Sequence, residues 1–152
     1  MKTLLVSIVF FALSWGDVTI FNFDKPGNSG EWYIVNDGVM GGLSESGFIL
    51  NNDGTATFSG RVSLENNGGF ASVRSSVDMA SREDYKGVVI RVKGDGKTYS
   101  LRFRTNDRFD GYAYQAKIET VQDEWKEIQV PFSYFKPTFR GYTLKNKPIL
   151  KS

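Results

Sequence analysis

From Val18 onward, apolar and polar residues alternate with period two in short runs, and no stretch sustains an apolar i, i+3, i+4, i+7 stripe. That pattern is the mark of half-buried strands, because successive side chains of a strand point to opposite faces. Val88, Ile90 and Val92 alternate with Val89, Arg91 and Lys93; Tyr99, Leu101 and Phe103 alternate with Ser100, Arg102 and Arg104. Tyr114, Ala116 and Ile118 oppose Gln115, Lys117 and Glu119, and Ile128 and Val130 oppose Glu127 and Gln129. Earlier, Ala56, Phe58, Gly60, Val62 and Leu64 share one face of a predicted strand, with Thr57, Ser59, Arg61 and Ser63 on the other. Further strands are predicted at Val18 to Phe23, Trp32 to Val35, Gly47 to Leu50 and around Ala71, Val73 and Val77. Ser81 to Tyr85 is the one place where a helical turn is expected. Eight or nine short strands at roughly ten-residue spacing predict an all-β fold, an antiparallel sandwich or a barrel.

The breaks between strands carry turn chemistry. Asn51-Asn52-Asp53-Gly54 and Gly94-Asp95-Gly96 read as hairpins, since Asn and Gly tolerate positive φ. The block Asn36-Asp37-Gly38-Val39-Met40-Gly41-Gly42-Leu43-Ser44 is denser in glycine than a helix allows. It suits a chain that turns sharply or passes close to other backbone.

Together with Gly68-Gly69-Phe70-Ala71-Ser72-Val73-Arg74-Ser75, Val130-Pro131-Phe132-Ser133 and Pro137-Thr138-Phe139-Arg140-Gly141, in that order, this block resembles the complex I intermediate-associated protein 30 family. The resemblance runs from about Phe21 to Gly141. It implies an antiparallel β-sandwich of the galactose-binding, jelly-roll type. It also implies a protein-interaction role, since the family's best-known members are mitochondrial proteins that assist assembly of respiratory complex I. Relatives would continue past the Phe-Arg-Gly block into one or two more strands. Here the chain runs from Tyr142 to Ser152, so the sandwich is expected to lack the last strand or strands and to leave a sheet edge open.

Residues 1–16 read as a secretory signal peptide, leaving a β-sandwich domain over 17–152. Lys2 precedes an apolar block that ends near Trp15, and Ser14-Trp15-Gly16 supplies small residues for cleavage near Gly16/Asp17. The block is too short to span a bilayer as a helix. The competing readings are a buried N-terminal strand and a retained anchor. Cleavage would yield a periplasmic or secreted protein with no membrane-integral part.

Nineteen basic and seventeen acidic residues leave a net charge of +2, without the basic surplus of a nucleic-acid binder outside the last dozen residues. Nucleic acid is therefore not an expected partner. Cysteine and histidine are both absent, which removes imidazole and thiolate chemistry and the usual zinc sites. A carboxylate pair remains conceivable, but Asp53, Asp95, Asp107 and Asp110 sit in turns, where Asp is expected for backbone reasons. No enzyme, no cofactor and no metal is expected; Asp24 and Asp37 lie in no calcium-loop spacing.

The candidate ligand-binding residues are Asn36, Asp37, Arg74, Arg102, Arg104, Gln115 and Arg140. Asn36 and Asp37 open the glycine block, which either lines a pocket or forms a structural bulge; it is no phosphate loop, as neither Lys-Ser/Thr nor a helix follows. Arg74, Arg102, Arg104 and Gln115 fall opposite the apolar faces of their strands and would converge if those strands are neighbours. Such a patch suits a carboxylate, a phosphate or sugar hydroxyls. The alternative is a solvated sheet face with cross-strand pairs such as Arg102 with Glu119. Arg140 either joins the patch or pins a late loop. A protein partner leads, with carbohydrate as the alternative; Tyr112, Trp125, Tyr134 and Phe135 are the aromatics available for sugar stacking, though the core is the commoner place for them.

Overall fold

A computed structural model of the chain describes residues 2–11 (as a backbone path), 18–24, 31–77, 85–105 and 111–150. The strands are β1 (Lys2–Phe11), β2 (Val18–Phe21), β3 (Trp32–Asn36), β4 (Glu45–Leu50), β5 (Ala56–Arg61) and β6 (Ala71–Ser75). They continue with β7 (Gly87–Lys93), β8 (Thr98–Phe103), β9 (Ala113–Glu119), β10 (Trp125–Pro131), β11 (Lys136–Phe139) and β12 (Tyr142–Thr143). Short 3-10 turns occupy Asp37–Met40, Glu65–Asn67 and Phe132–Tyr134. The helical turn expected at Ser81 to Tyr85 falls mostly outside the described residues.

One sheet runs β10-β7-β1-β5-β4, with β2 also paired to β1; a second runs β12-β11-β9-β8, and β3 pairs with β6. All pairings between these strands are antiparallel. The two larger sheets face each other across one core: Ala56, Val88, Ile90, Val92 and Val130 from the first, Tyr114, Ala116 and Ile118 from the second. This is an antiparallel β-sandwich, not a closed barrel.

Alternation in the sequence translates directly into this packing. Leu101 and Phe103 turn inward from β8 while Ser100 and Arg102 are exposed. Strand β7 is the exception: Val88, Val89, Ile90 and Val92 are all buried, so both of its faces are covered. The β-branched run Val88-Val89-Ile90 suits that position, between β1 and β10.

The aromatic residues fill the two ends of the core. Phe21 meets Trp32 at 4.7 Å between ring centroids, and Trp32 stacks on Phe48 at 5.0 Å. Phe135, only 1% exposed, packs on Phe103 at 5.0 Å. The prospect of Phe135 as a sugar-stacking platform is thereby corrected: the turn at Phe132–Tyr134 directs its ring inward. Leu64, expected on the inner face of β5, is 81% exposed, because β5 ends at Arg61 and the chain leaves the sheet before reaching it.

Strand β1 is formed by the apolar block whose expected fate was cleavage. Leu5 to Phe11 pair with Lys93 to Gly87 of β7, and Lys2 to Leu5 pair with Gly60 to Thr57 of β5. Cleavage near Gly16/Asp17 and retention of β1 thus exclude one another within a single folded molecule. The segment after β11 forms only the two-residue β12, then lies on the second sheet: the Tyr114 hydroxyl donates to the Pro148 carbonyl at 3.2 Å, and Leu150 packs against the core.

Two outcomes test this packing. Phe135→Ala is expected to destabilise the domain by about 3–5 kcal/mol in denaturant titration, the range for a buried Phe. A variant starting at Asp17 exposes the backbone groups of β5 and β7 that β1 satisfies. It should lose cooperative thermal unfolding or self-associate in light scattering; a monomer with an unchanged midpoint would show β1 to be dispensable.

Candidate functional site

The glycine block closes around one carboxylate. Asp37 follows β3 directly and is completely buried. Its Oδ1 accepts from the Ser44 backbone N–H at 2.9 Å, and its Oδ2 accepts from the Gly69 N–H at 2.6 Å and the Phe70 N–H at 3.2 Å. The Ser44 hydroxyl also donates to Oδ2, and the Ser44 Oγ in turn accepts from the Ser63 N–H at 3.0 Å. Two loops, β3–β4 and β5–β6, therefore meet on a single side chain.

This explains two glycines that turn geometry alone does not. A Cβ at Gly42 would lie 2.4 Å from the Asp37 Cγ, and one at Gly68 would lie 2.6 Å from its Oδ2. The close approach inferred for the block is thus an approach to a carboxylate. Burial pushes the Asp37 pKa up, but the Ser44 hydroxyl and then the N–H groups of Gly69, Ser44 and Phe70 pull it down, and it settles at about 2. Fully enclosed, with its oxygens hydrogen-bonded by the protein, Asp37 holds the loops together. Asn36 is likewise engaged within the fold, its Oδ1 accepting from the Ser46 hydroxyl at 2.7 Å. The structural reading of the block fits this geometry.

What the locked loops present outward is apolar. Val39 is 66% exposed, Met40 62%, Leu43 48% and Leu64 81%. Sequence reasoning did not single out Val39, Met40 and Leu43, and it placed Leu64 on the inner face of a strand. The available signal for the first three was apolar side chains inside a glycine run with no strand or helix period to bury them.

The second candidate group lies on the outer face of β8 and β9. Arg102 pairs in register with Gln115, and its Nε donates to Gln115 Oε1 at 2.8 Å. Glu119 stands opposite Thr98, so the suggested Arg102–Glu119 pair is replaced by Arg102–Gln115. Gln115 pairs on its other side with Lys136 of β11, a residue the sequence reading did not include. Arg74, on β6 opposite Tyr33, donates from Nε to the Ser72 hydroxyl at 3.3 Å. Desolvation and the charges of Arg104 and Arg102 lower its pKa, the Tyr33 phenol acting the other way; desolvation and Arg104 lower that of Arg102. The charge of Arg104 thus acts on both Arg74 and Arg102, and Gln115 stands beside Arg102. Arg140 lies at the β11–β12 turn, with φ 46° and its guanidinium 5.3 Å above the Phe139 ring.

The remaining aromatics are divided. Trp125 carries the Arg91 guanidinium 4.4 Å over its ring, and Tyr112 packs edge-on against Tyr114 with Lys147 5.3 Å from its centroid. Tyr134 is exposed. Among the described residues no cluster of His, Cys, Asp or Glu is placed to hold a metal ion, and no helix is long and apolar enough to cross a membrane.

Fold and site together define an antiparallel β-sandwich whose glycine loops close on a buried aspartate. The family model for complex I intermediate-associated protein 30 matches residues 21–152, and the chain belongs to that family. No curated protein and no solved structure matches it.

Asp37→Asn replaces an acceptor oxygen with an NH2 facing N–H donors, and should lower the unfolding midpoint by roughly 5–10 °C. Because the folded pKa lies below the ordinary 3.8, the stabilisation is complete above that value and is lost as pH falls through about 2. Melting curves should show a constant gap between wild type and variant above about pH 5 that closes toward pH 2. A gap independent of pH would remove the ionised carboxylate from this role.

Proposed function

We propose that this chain acts by binding a protein partner, as an assembly-factor domain, through the rim formed by Val39, Met40, Leu43 and Leu64. The observation that carries this reading is the exposure of four large apolar side chains on loops that the Asp37 carboxylate ties together. Apolar side chains on mobile loops tend to fold inward or lose order on docking. Here the hydrogen bonds to Asp37 set the loop backbone in advance, so docking spends little conformational entropy. Exposed apolar residues that become buried at the centre of an interface supply most of its binding energy. The family's description, association with an intermediate of complex I, supports a protein as the occupant.

The compartment of that encounter follows from the fate of residues 1–16. A mature protein beginning at Asp17 would meet its partner outside the cytoplasm, as the export reading has it; an intact N-terminus keeps β1 in the sheet.

The test is reconstitution with isolated complex I assembly intermediates. Val39→Asp and Leu64→Asp should each weaken co-sedimentation about tenfold or more, a loss of at least 1.4 kcal/mol, while leaving the melting midpoint unchanged because both side chains are exposed. Thr143→Asp, on the far hairpin, serves as the control. Undiminished binding by the two rim variants, or binding to glycans alone, would overturn the reading.

A further inference from the structure

The cations of this chain are unevenly placed, although the net charge is only +2. Residues 134–151 hold Lys136, Arg140, Lys145, Lys147 and Lys151 and no Asp or Glu, which leaves fourteen basic against seventeen acidic residues elsewhere. The structure lays this basic segment along one edge of the second sheet. Strand β12 pairs with β11, Phe139 standing opposite Tyr142 and Thr138 opposite Thr143. The pairing continues one step further, from the Leu144 N–H to the Pro137 carbonyl at 2.8 Å. Beyond it the Tyr114 hydroxyl holds the Pro148 carbonyl and Leu150 packs against the core, so this strip is tied at both ends.

Directly opposed residues of an antiparallel pair project to the same face, so Phe139 and Tyr142 share one side of the hairpin and the two threonines take the other. The Arg140 guanidinium lies 5.3 Å over the Phe139 ring, and the Lys147 ammonium lies 5.3 Å from the Tyr112 ring centroid. Tyr142 is 78% exposed and Ile149 60%, with Lys145 and Lys147 exposed between them in the chain. Among the described residues none of these cations stands in an ion pair.

We infer that the β11–β12 tip and the strip after it, through Arg140, Tyr142, Lys145, Lys147 and Ile149, form a docking surface for an anionic lipid membrane. The charge is complementary: basic side chains gain free energy beside a negatively charged leaflet, and here no acidic residue of the segment opposes them. Tyrosine, with an apolar body and a polar tip, suits the headgroup level, and Ile149 adds an aliphatic side chain beside it. A protein interface is the poorer fit, because lysine is depleted from such interfaces. Single-stranded nucleic acid stacks its bases on open rings, whereas the Phe139 and Tyr112 rings already carry cations. None of these residues belongs to the Val39–Leu64 rim, so the inference does not depend on the protein-docking proposal.

Flotation of the full chain with vesicles tests it, comparing phosphatidylcholine alone with equal parts of phosphatidylcholine and phosphatidylglycerol. Binding to the anionic vesicles is expected, weakening as salt is added and falling about tenfold or more on the neutral ones. Lys145→Glu and Lys147→Glu should each reduce binding about tenfold, and Tyr142→Ser several-fold. Lys117→Glu, an exposed position on β9 with the same change in net charge, should bind as wild type. Equal binding to both kinds of vesicle, an equal loss in Lys117→Glu, or tighter binding to single-stranded RNA than to anionic vesicles would overturn the surface. Unchanged melting midpoints in the variants, all at exposed positions, separate lost binding from lost folding.

Discussion

A buried carboxylate surrounded by backbone N–H groups organises one end of this molecule. Asp37 joins segments 32 and 33 positions apart in the chain, through Gly69 and Phe70, and adds Ser44 and, through its hydroxyl, Ser63. Loops without regular structure must still satisfy their backbone donors, and here a side chain does what a neighbouring strand does elsewhere. In a chain without cysteine, this charged knot does part of the work that a disulfide does in other small sandwiches. Gly42 and Gly68 follow as consequences, since any side chain there would overlap the carboxylate.

Once the loops are closed, the outward residues fall into two groups of different origin. The same alternation that sends Leu101 and Phe103 inward sends Arg102 and Arg104 outward, so hydrophobic burial and the charged face arise from one periodicity. The apolar rim has the opposite origin. Val39, Met40, Leu43 and Leu64 lie where periodicity stops, and the tight turns leave them no core to enter. Two chemically different surfaces thus come from two different local causes.

Strand β7 shows how far sheet position can override a sequence pattern. Val89 alternates with the inward residues and would read as outward, yet it is buried, as expected for a strand with neighbours on both edges and cover on both faces. The N-terminal block makes the same point from the other side. A short, mostly apolar run serves a leader and a central strand equally well, because both favour hydrocarbon along their length; only the partners β5 and β7 distinguish a strand.

Local chemistry in the chain specified nearly every strand between Trp32 and Pro131, the Asn51–Gly54 and Gly94–Gly96 hairpins and the all-β class, because strand period and turn residues act over a few positions. The ordered glycine blocks carried the family as well. Other features belong to tertiary structure alone: Asp37 as a buried anchor, Arg102 facing Gln115 instead of Glu119, Phe135 in the core and Leu64 in solvent. Each depends on register or on loop closure between segments distant in sequence. A period of two says which residues share a face; it does not say what that face will meet.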